Sequence, residues 1–138
     1  MPSRAATVVP GSVEDALVRI GRSISGGRDA IAAREGLTPL GADLLLATRE
    51  PRPQGELAEA LGITEPRLSI LASKLVDRKL LRRRTTKGDK RFRILELTAS
   101  GRATAKRIEA ARAKLAPLGA LSDTQLRQLA KTLAALEG

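Results

Sequence analysis

The sequence predicts a mainly α-helical fold with one small β-hairpin, and three observations favour this class. Apolar residues recur at spacings of three, four and seven along most of the chain, as they do on the buried face of a helix. The 138 residues include one Phe, no Trp and no Tyr, so Leu, Ile, Val and Ala must form the core. Near Gly88, two short segments with strand-forming composition flank a turn sequence. The length fits a single domain.

The first predicted helix covers residues 12 to 35 and follows a flexible N-terminus at residues 1 to 11. Ser12 is its expected N-cap, because a side-chain oxygen there can accept a hydrogen bond from the first turn. Glycines in a helix interior are unfavourable, so a bend or break is expected near Gly26. The apolar face of this helix contains Val13, Ala16, Leu17, Ile20, Ile24 and Ile31.

A second helix is predicted from Thr38, its N-cap, to about Arg49. Pro39 would occupy the first helical position, where its missing N–H has no partner to lose. Pro51 and Pro53 then end the helix, because proline cannot continue the helical hydrogen-bond pattern.

A helix-turn-helix is predicted within residues 54 to 81. A short helix ends at Gly62, which can adopt the left-handed conformation that closes a helix. Thr64 is the expected N-cap of the helix that follows. Two helices joined by a short turn with glycine are typical of DNA-binding proteins in which the second helix enters the major groove. The inward face of that second helix is expected to contain Leu68, Leu71 and Leu75.

A strongly basic β-hairpin is predicted directly after the helix-turn-helix. Its strands are expected at residues 80 to 85 and 92 to 97, with a turn at residues 86 to 89. Nine of the 25 Lys and Arg residues lie between residues 78 and 93, together with one acid, Asp89. This concentration and a pI near 11.2 indicate a polyanionic partner. A charged hairpin in this position is a wing.

Two further helices are predicted in the C-terminal region. Thr98 caps a helix from about residue 99 to residue 115, which Pro117 terminates. Ser122 caps the last helix, with Gln125 as its capping-box partner. This last helix carries a narrow leucine seam, which is either internal core or a surface for a partner. The seam consists of Leu126, Leu129, Leu133 and Leu136.

Four segments resemble the MarR family of bacterial winged helix-turn-helix regulators. They are GLTPLGADLLLA (36–47), ELAEALGITEPRLS (56–69), LLRRR (80–84) and DKRFRILELTASGRA (89–103). The last is the most specific, because an Asp is followed two residues later by Arg, and then by a strand that ends in Leu-Thr and a Gly. The resemblance covers roughly residues 12 to 138. It implies one domain with a winged helix-turn-helix core at 37 to 98 and dimerisation helices at 12 to 35 and 99 to 138.

Two positions depart from the family pattern. Lys79 stands at the end of the recognition helix, where family members usually have Gly. Ile70 follows Ser69, where members commonly have Arg or a polar residue. These departures affect base preference at the DNA site, whereas the predicted fold is the same.

The recognition helix carries the first group of candidate DNA-binding residues. Arg67, Ile70 and Lys74 are expected on its outer face, opposite the leucines. Arg67 suits a guanine, while Ile70 either contacts a thymine methyl group or packs against the rim of the helix-turn-helix. Nearby polar side chains could hydrogen-bond a phosphate or a base, and the one at position 64 could also serve as a cap alone. These polar candidates are Gln54, Thr64 and Ser69.

The wing carries the second group of candidates. Strand alternation would direct part of its basic residues at DNA and leave the others in water. The candidates are Arg83, Arg84, Lys87, Lys90 and Arg91. The family resemblance further implies that Arg91 enters a minor groove and that Asp89 orients the hairpin through an ion pair.

The family resemblance also implies a homodimer formed through both terminal regions. Twofold symmetry then predicts a near-palindromic operator in double-stranded DNA. The expected function is sequence-specific regulation of transcription, with repression expected and activation left open. The candidate dimerisation residues are Leu17, Ile20, Leu126, Leu129, Leu133 and Leu136.

The composition excludes several other functions. The sequence has no Cys and no His, which removes thiol nucleophiles, imidazole bases and the ligands of most zinc sites. No enzyme activity, metal or cofactor is therefore expected, whereas a small-molecule effector is left open because MarR-family members often bind one. No segment approaches the length of a membrane span. The expected location is a bacterial or archaeal cytoplasm, with nucleoid association when DNA is bound.

Two other binding functions stay open as alternatives. A basic protein of this size could bind RNA or single strands, although such proteins stack bases on aromatic side chains and only Phe92 is available. It could also be a non-specific architectural DNA-binding protein.

Overall fold

The computed structural model describes residues 10–86 and 89–138, with side chains described at 11–85 and 93–138. The chain divides into two compact units. The central lobe covers residues 29–111, and the terminal unit combines residues 10–28 with residues 112–138. The elements in chain order are α1 (Pro10–Arg34), α2 (Pro39–Ala47), β1 (Arg52–Pro53), α3 (Gln54–Leu61), α4 (Glu65–Asp77), β2 (Leu81–Thr86), β3 (Asp89–Leu97), α5 (Ala99–Ala113), a 3-10 turn (Leu118–Ala120) and α6 (Asp123–Glu137).

Helix α1 differs from its prediction in two respects. It begins at Pro10 and not after Ser12, because proline suits the first turn of a helix. It also continues without a break through Gly26, where a bend or break was expected. A Cβ atom on the neighbouring Gly27 would lie 2.3 Å from Leu115 Cδ1, so the missing side chain permits close packing inside the terminal unit. That packing offsets the low helix propensity of glycine.

Apart from Ser12, which lies inside α1, the predicted helix caps are confirmed. Thr38 Oγ1 accepts a hydrogen bond from Gly41 N at 3.0 Å, and Thr64 Oγ1 accepts one from Arg67 N at 3.3 Å. Gly62 closes α3 with a φ of 68°. Ser122 and Gln125 form the reciprocal capping box that begins α6. The helix-turn-helix of α3 and α4 is thus present at the predicted residues.

The core of the central lobe is aliphatic and almost completely shielded from water. One detail of α4 differs from the prediction: Ala72 is fully buried, whereas Leu71 is only partly buried. The inward face of α4 therefore consists of Leu68, Ala72 and Leu75, and Leu71 is not its middle residue. The largest core side chains are Leu44, Leu45, Leu57, Leu68, Leu81, Leu95 and Ile108.

A three-stranded antiparallel sheet in the order β1-β3-β2 contains the predicted hairpin. Strand β3 begins at Asp89, three residues before the predicted start, because Thr86 pairs with Asp89. Strand β1 was not predicted at all, since Pro51 and Pro53 indicated only the end of a helix. Arg52 pairs with Leu95 and Pro53 with Ile94. Proline is compatible with this position because β1 lies at the edge of the sheet.

The junction between α4 and β2 ends in a Schellman motif, in which Leu80 N donates to Leu75 O and Lys79 N donates to Val76 O. This motif places Lys79 in the left-handed region, with a φ of 62°. The position is therefore strained for any residue with a side chain.

Replacing Lys79 with Gly is expected to stabilise the protein by about 0.5–1 kcal/mol, since relief of the left-handed strain exceeds the added freedom of the unfolded chain. Urea unfolding of Lys79→Gly and Lys79→Ala measures this effect. The alanine variant keeps the Cβ atom and should show no gain. Equal stability of the two variants would contradict the strain assigned to this residue.

An ion pair joins the end of α1 to α5 inside the central lobe. The Arg107 guanidinium donates to both carboxylate oxygens of Glu35, with the shortest contact 2.9 Å from Nη2 to Oε1. Arg78 donates to the backbone oxygens of Glu35 and Gly36 at 3.1 and 2.7 Å. The hydrogen bond from Arg107 is the main reason why the pKa of Glu35 lies below its ordinary value.

This lowered pKa predicts a loss of stability in acid that depends on Glu35. The ionised carboxylate stabilises the fold above the unfolded-state pKa of about 4.3, and this contribution is lost as the pH falls through the lower folded-state pKa. The free energy of unfolding of Glu35→Gln should therefore fall less between pH 6 and pH 3 than that of the wild type. In an Arg107→Gln background the same substitution should have a much smaller effect. An identical pH dependence in all variants would contradict this assignment.

Candidate nucleic-acid interface

The outer face of α4 presents the three side chains predicted for it. Arg67, Ile70 and Lys74 are all exposed, and their spacing places them on one stripe of the helix. Ile70 has 62% of its surface exposed, so it does not pack against the rim of the helix-turn-helix. A branched apolar side chain with this exposure lies on an otherwise polar stripe, where it is available to a partner.

Arg83 of the wing contacts α4 and α3. Its Nε donates to Gln54 Oε1 at 2.7 Å, and its Nη1 donates to Ser73 Oγ at 3.0 Å. Its Nη2 donates to the backbone oxygen of Ser69 at 2.8 Å and lies 3.3 Å from the Oγ of that residue. Burial, and then the nearby charge of Arg93, lower the pKa of Arg83. Arg83 therefore connects β2 to both helices of the helix-turn-helix.

These contacts also fix the position of two other candidates. Gln54 is buried, with 8% of its surface exposed, and its side-chain oxygen accepts from Arg83. The carboxylate of Glu65 lies over the start of α3, because a Cβ atom on Gly55 would be 2.9 Å from Glu65 Oε1. A phosphate at this helix start would meet that carboxylate. The surroundings of Gln54 thus differ from the open phosphate site that the sequence indicated.

The opposite face of the hairpin carries a different charge arrangement. Arg82 Nε donates to Glu96 Oε1 at 2.8 Å, and Arg84 Nε lies 3.5 Å from Glu96 Oε2. Both arginines keep more than half of their side-chain surface exposed, at 64% and 56%, while Glu96 is at 19%. Ion pairs this exposed contribute little to stability. Their cationic side chains are therefore accessible to a polyanion.

Arg93 is a further candidate that was not among the predicted DNA-binding residues. It pairs with Thr85 and is exposed, and its charge acts on Arg83. Alternate residues of a strand lie on the same face, so Arg93 shares a face of β3 with the buried Leu95 and Leu97. Arg83 lies on this same face of the hairpin, because it pairs with Leu95. The alternation of this strand in the sequence was the signal that could have identified it.

The tip of the wing lies partly outside the described residues. Lys87 is not described, and the structure gives no side-chain position for Asp89, Lys90 or Arg91. The roles predicted for these four residues stay predictions.

The terminal unit contains an open apolar groove of about 430 Å³. Leu126 and Leu129 are half-buried, whereas Leu133 and Leu136 are exposed at 37% and 69%. None of the residues of α6, all of which the structure describes, is buried. The leucine seam is therefore only partly covered within one chain. The groove is lined by Leu17, Ile20, Ile24, Pro117, Leu118, Leu121, Leu126, Leu129, Ala130 and Leu133.

The described residues contain neither a metal site nor a membrane-spanning helix. No group of three or more acidic side chains there could hold a metal ion. No described helix is long and apolar enough to cross a membrane.

A helix-turn-helix followed by a basic β-hairpin, with a third strand completing the sheet, defines the class of winged helix-turn-helix proteins. Residues 35–91 match the model of the MarR family, which confirms over that segment the family resemblance seen in the sequence. Residues 35–91, within the central lobe, are thus similar to the MarR family, and the described chain has the winged helix-turn-helix fold of solved MarR-family structures.

Solved structures of this family share the fold over nearly the whole chain. AbsC, a MarR family transcriptional regulator from Streptomyces coelicolor, is 19% identical, with a TM-score of 0.77 and 94% of each chain covered. CouR from Rhodococcus jostii, bound to p-coumaroyl-CoA, is 21% identical, with a TM-score of 0.71 and 94% of each chain covered. A MepR variant from S. aureus bound to an oligodeoxyribonucleotide is 21% identical, with a TM-score of 0.64, and the match covers 90% of this chain and 94% of that one. No curated protein gives a match.

Proposed function

We propose that this protein is a transcriptional repressor that binds a near-palindromic operator in double-stranded DNA as a homodimer. Recognition helix α4 enters the major groove and the wing reaches the adjacent minor groove. The observation that carries this proposal is the contact of Arg83 with Ser69 and Ser73, because it places the base of a cationic wing directly against the recognition helix. Both elements can then approach one duplex from the same lobe.

Base recognition depends on the exposed stripe of α4. Arg67 lies in the first turn of this helix, where base edges are usually reached, and can form a bidentate contact with guanine. Lys74 neutralises a phosphate from the same stripe. In the wing, the exposed Arg84 contacts the phosphate backbone of the DNA. The positive charge of the wing continues toward the minor groove through Lys87, Lys90 and Arg91. Thr64 acts as a helix cap and, through its neighbouring backbone, as a phosphate contact.

Ile70 reads a thymine methyl group in this proposal. Ile70→Ala should lower the preference for thymine at one position of each half-site by about 1 kcal/mol, with little change in affinity for random duplex. Competition binding with operators that vary at that position measures the effect. Ile70→Val keeps a branched side chain and should retain most of the preference. An equal loss on operator and random DNA would instead assign Ile70 to helix stability.

The homodimer is supported by the partly covered apolar surface of the terminal unit. Leu17, Ile20 and Leu133 line its groove and remain exposed at 41%, 39% and 37%. A second copy related by a twofold axis would bury this surface, because such interfaces are self-complementary. Two recognition helices would then read half-sites about one helical turn apart.

We further propose that the protein binds a small-molecule effector, and we assign no chemical class to that effector. CouR, which shares the fold, was solved with p-coumaroyl-CoA, and the MepR variant with DNA. A regulator of this kind acts on the chromosome that contains its operator. In a bacterial or archaeal cell the chromosome lies in the cytoplasm, so we assign this protein to the cytoplasm.

Operator selection from random duplex DNA, followed by sedimentation of the complex, tests the proposed function. The expected result is an inverted repeat bound by two copies of the chain. Enrichment of no sequence would favour the architectural alternative, and tighter binding to single strands or RNA than to duplex would favour the RNA-binding alternative. Either outcome would overturn the proposed function.

A further inference from the structure

Among the described residues of the wing, Arg83 hydrogen-bonds to both helices of the helix-turn-helix. It reaches Gln54 at the start of α3 and Ser69 and Ser73 on α4. Ser69 and Ser73 lie on the recognition helix, which the proposed function brings to DNA. A single guanidinium thus lies at the meeting point of the two helices and the hairpin.

The geometry of this contact uses the shape of a guanidinium. Nε, Nη1 and Nη2 donate in three directions to four oxygen atoms, at distances from 2.7 to 3.3 Å. An ammonium group carries the same charge but cannot present this planar fork. Arg83 is also half-buried, whereas Arg84 next to it in sequence is exposed. The neighbouring arginines of one strand therefore have different environments.

We propose that Arg83 is a positioning residue that sets the spacing between the wing and the recognition helix, and that it does not contact a phosphate. This inference rests on the proposed function and deepens it. Specific binding requires the major-groove and minor-groove contacts to form together, so a change in this spacing weakens operator binding. Non-specific binding through phosphates tolerates such a change because it needs no fixed register. Gln54 and Ser69 act in the same network and support Arg83.

A positioning role predicts that substitutions of Arg83 affect operator affinity and random-duplex affinity differently. Arg83→Lys and Arg83→Gln should each reduce operator affinity about tenfold or more, while affinity for random duplex changes by less than about threefold. The salt slope, which is the slope of log affinity for DNA against log salt concentration, should stay unchanged, because no phosphate contact is lost. A phosphate contact would instead contribute about 0.9 to that slope.

Arg84→Gln is the matched control, since it removes an exposed arginine from the adjacent position of the same strand. It should weaken operator and random DNA alike and lower the salt slope. A salt slope that falls with Arg83→Gln and recovers with Arg83→Lys would overturn the positioning role and assign Arg83 to a phosphate.

Hydrogen exchange of the DNA-free protein separates this inference from the proposed function. The amides of α4 should exchange about tenfold faster in Arg83→Lys than in the wild type, and Ser73→Ala should produce part of the same change. Arg84→Gln should leave them unchanged. Unaltered exchange in Arg83→Lys would overturn the network itself, even if the wild type binds its operator. A wild type without operator preference would overturn the proposed function, whatever the exchange rates show.

Discussion

A protein that carries Leu17→Lys and Leu133→Lys is expected to sediment as a monomer and to bind a selected operator about a hundredfold more weakly than the wild type. Both side chains line the apolar groove of the terminal unit and are partly exposed in one chain. Placing charges at the centre of an interface leaves them buried and unpaired, which opposes association. Once the dimer is lost, the two half-sites are no longer bound as one unit, and the gain from linked binding of about 10²–10⁴ disappears.

Sedimentation velocity and operator binding should be measured on the same preparations. Gln128→Lys is the matched control, because it adds the same charge to an exposed residue of α6 that does not line this groove. The control should stay dimeric and keep its operator affinity. A wild type that is monomeric at micromolar concentration, or a double variant that retains full affinity, would contradict the dimer.

Replacing Gly101 with Ala is expected to destabilise the protein by about 3 kcal/mol. A Cβ atom at this position would lie 1.9 Å from the backbone oxygen of Leu80. That oxygen cannot move easily, because Thr98 N donates to it at 3.1 Å and Leu80 N is bound in the Schellman motif. The start of α5 or the first residues of the wing must therefore shift.

Urea unfolding of Gly101→Ala measures this loss, and Gly21→Ala provides the control. Gly21 lies within α1, and apart from its chain neighbours and the adjacent backbone of that helix, no described atom lies within 4 Å of the Cβ that alanine would add there. That substitution should stabilise the protein by up to about 1 kcal/mol through helix propensity. If both substitutions had the same effect, the close approach of α5 to Leu80 would be wrong.

Local chemistry made the helices predictable from sequence. The N-caps Thr38, Thr64 and Ser122 bond to amides three residues away, so the signal and its partner lie in the same short segment. Gly62 closes α3 for the same kind of local reason. The hairpin was also predictable, because its two strands are neighbours in sequence.

Elements that depend on distant partners were not predictable. Strand β1 consists of two residues, and its partner Leu95 lies more than forty positions further along the chain. The role of Arg83 depends on α3 and α4 being close to β2, and the sequence presents it as one of three consecutive arginines. The leucine seam of α6 was ambiguous for a related reason. Its first half is partly covered inside one chain, while Leu133 and Leu136 remain exposed.

We propose that the recognition helix and the wing engage the same duplex at the same time. The chain has no Cys, so one cysteine introduced as Ile70→Cys or Thr85→Cys can carry an iron chelate that cleaves DNA nearby. We expect cleavage from position 70 within the major groove of each half-site and from position 85 in the flanking minor groove, about half of a 10-base-pair turn away. Cleavage of the operator from only one of the two positions, or at scattered sites from either, would contradict simultaneous engagement.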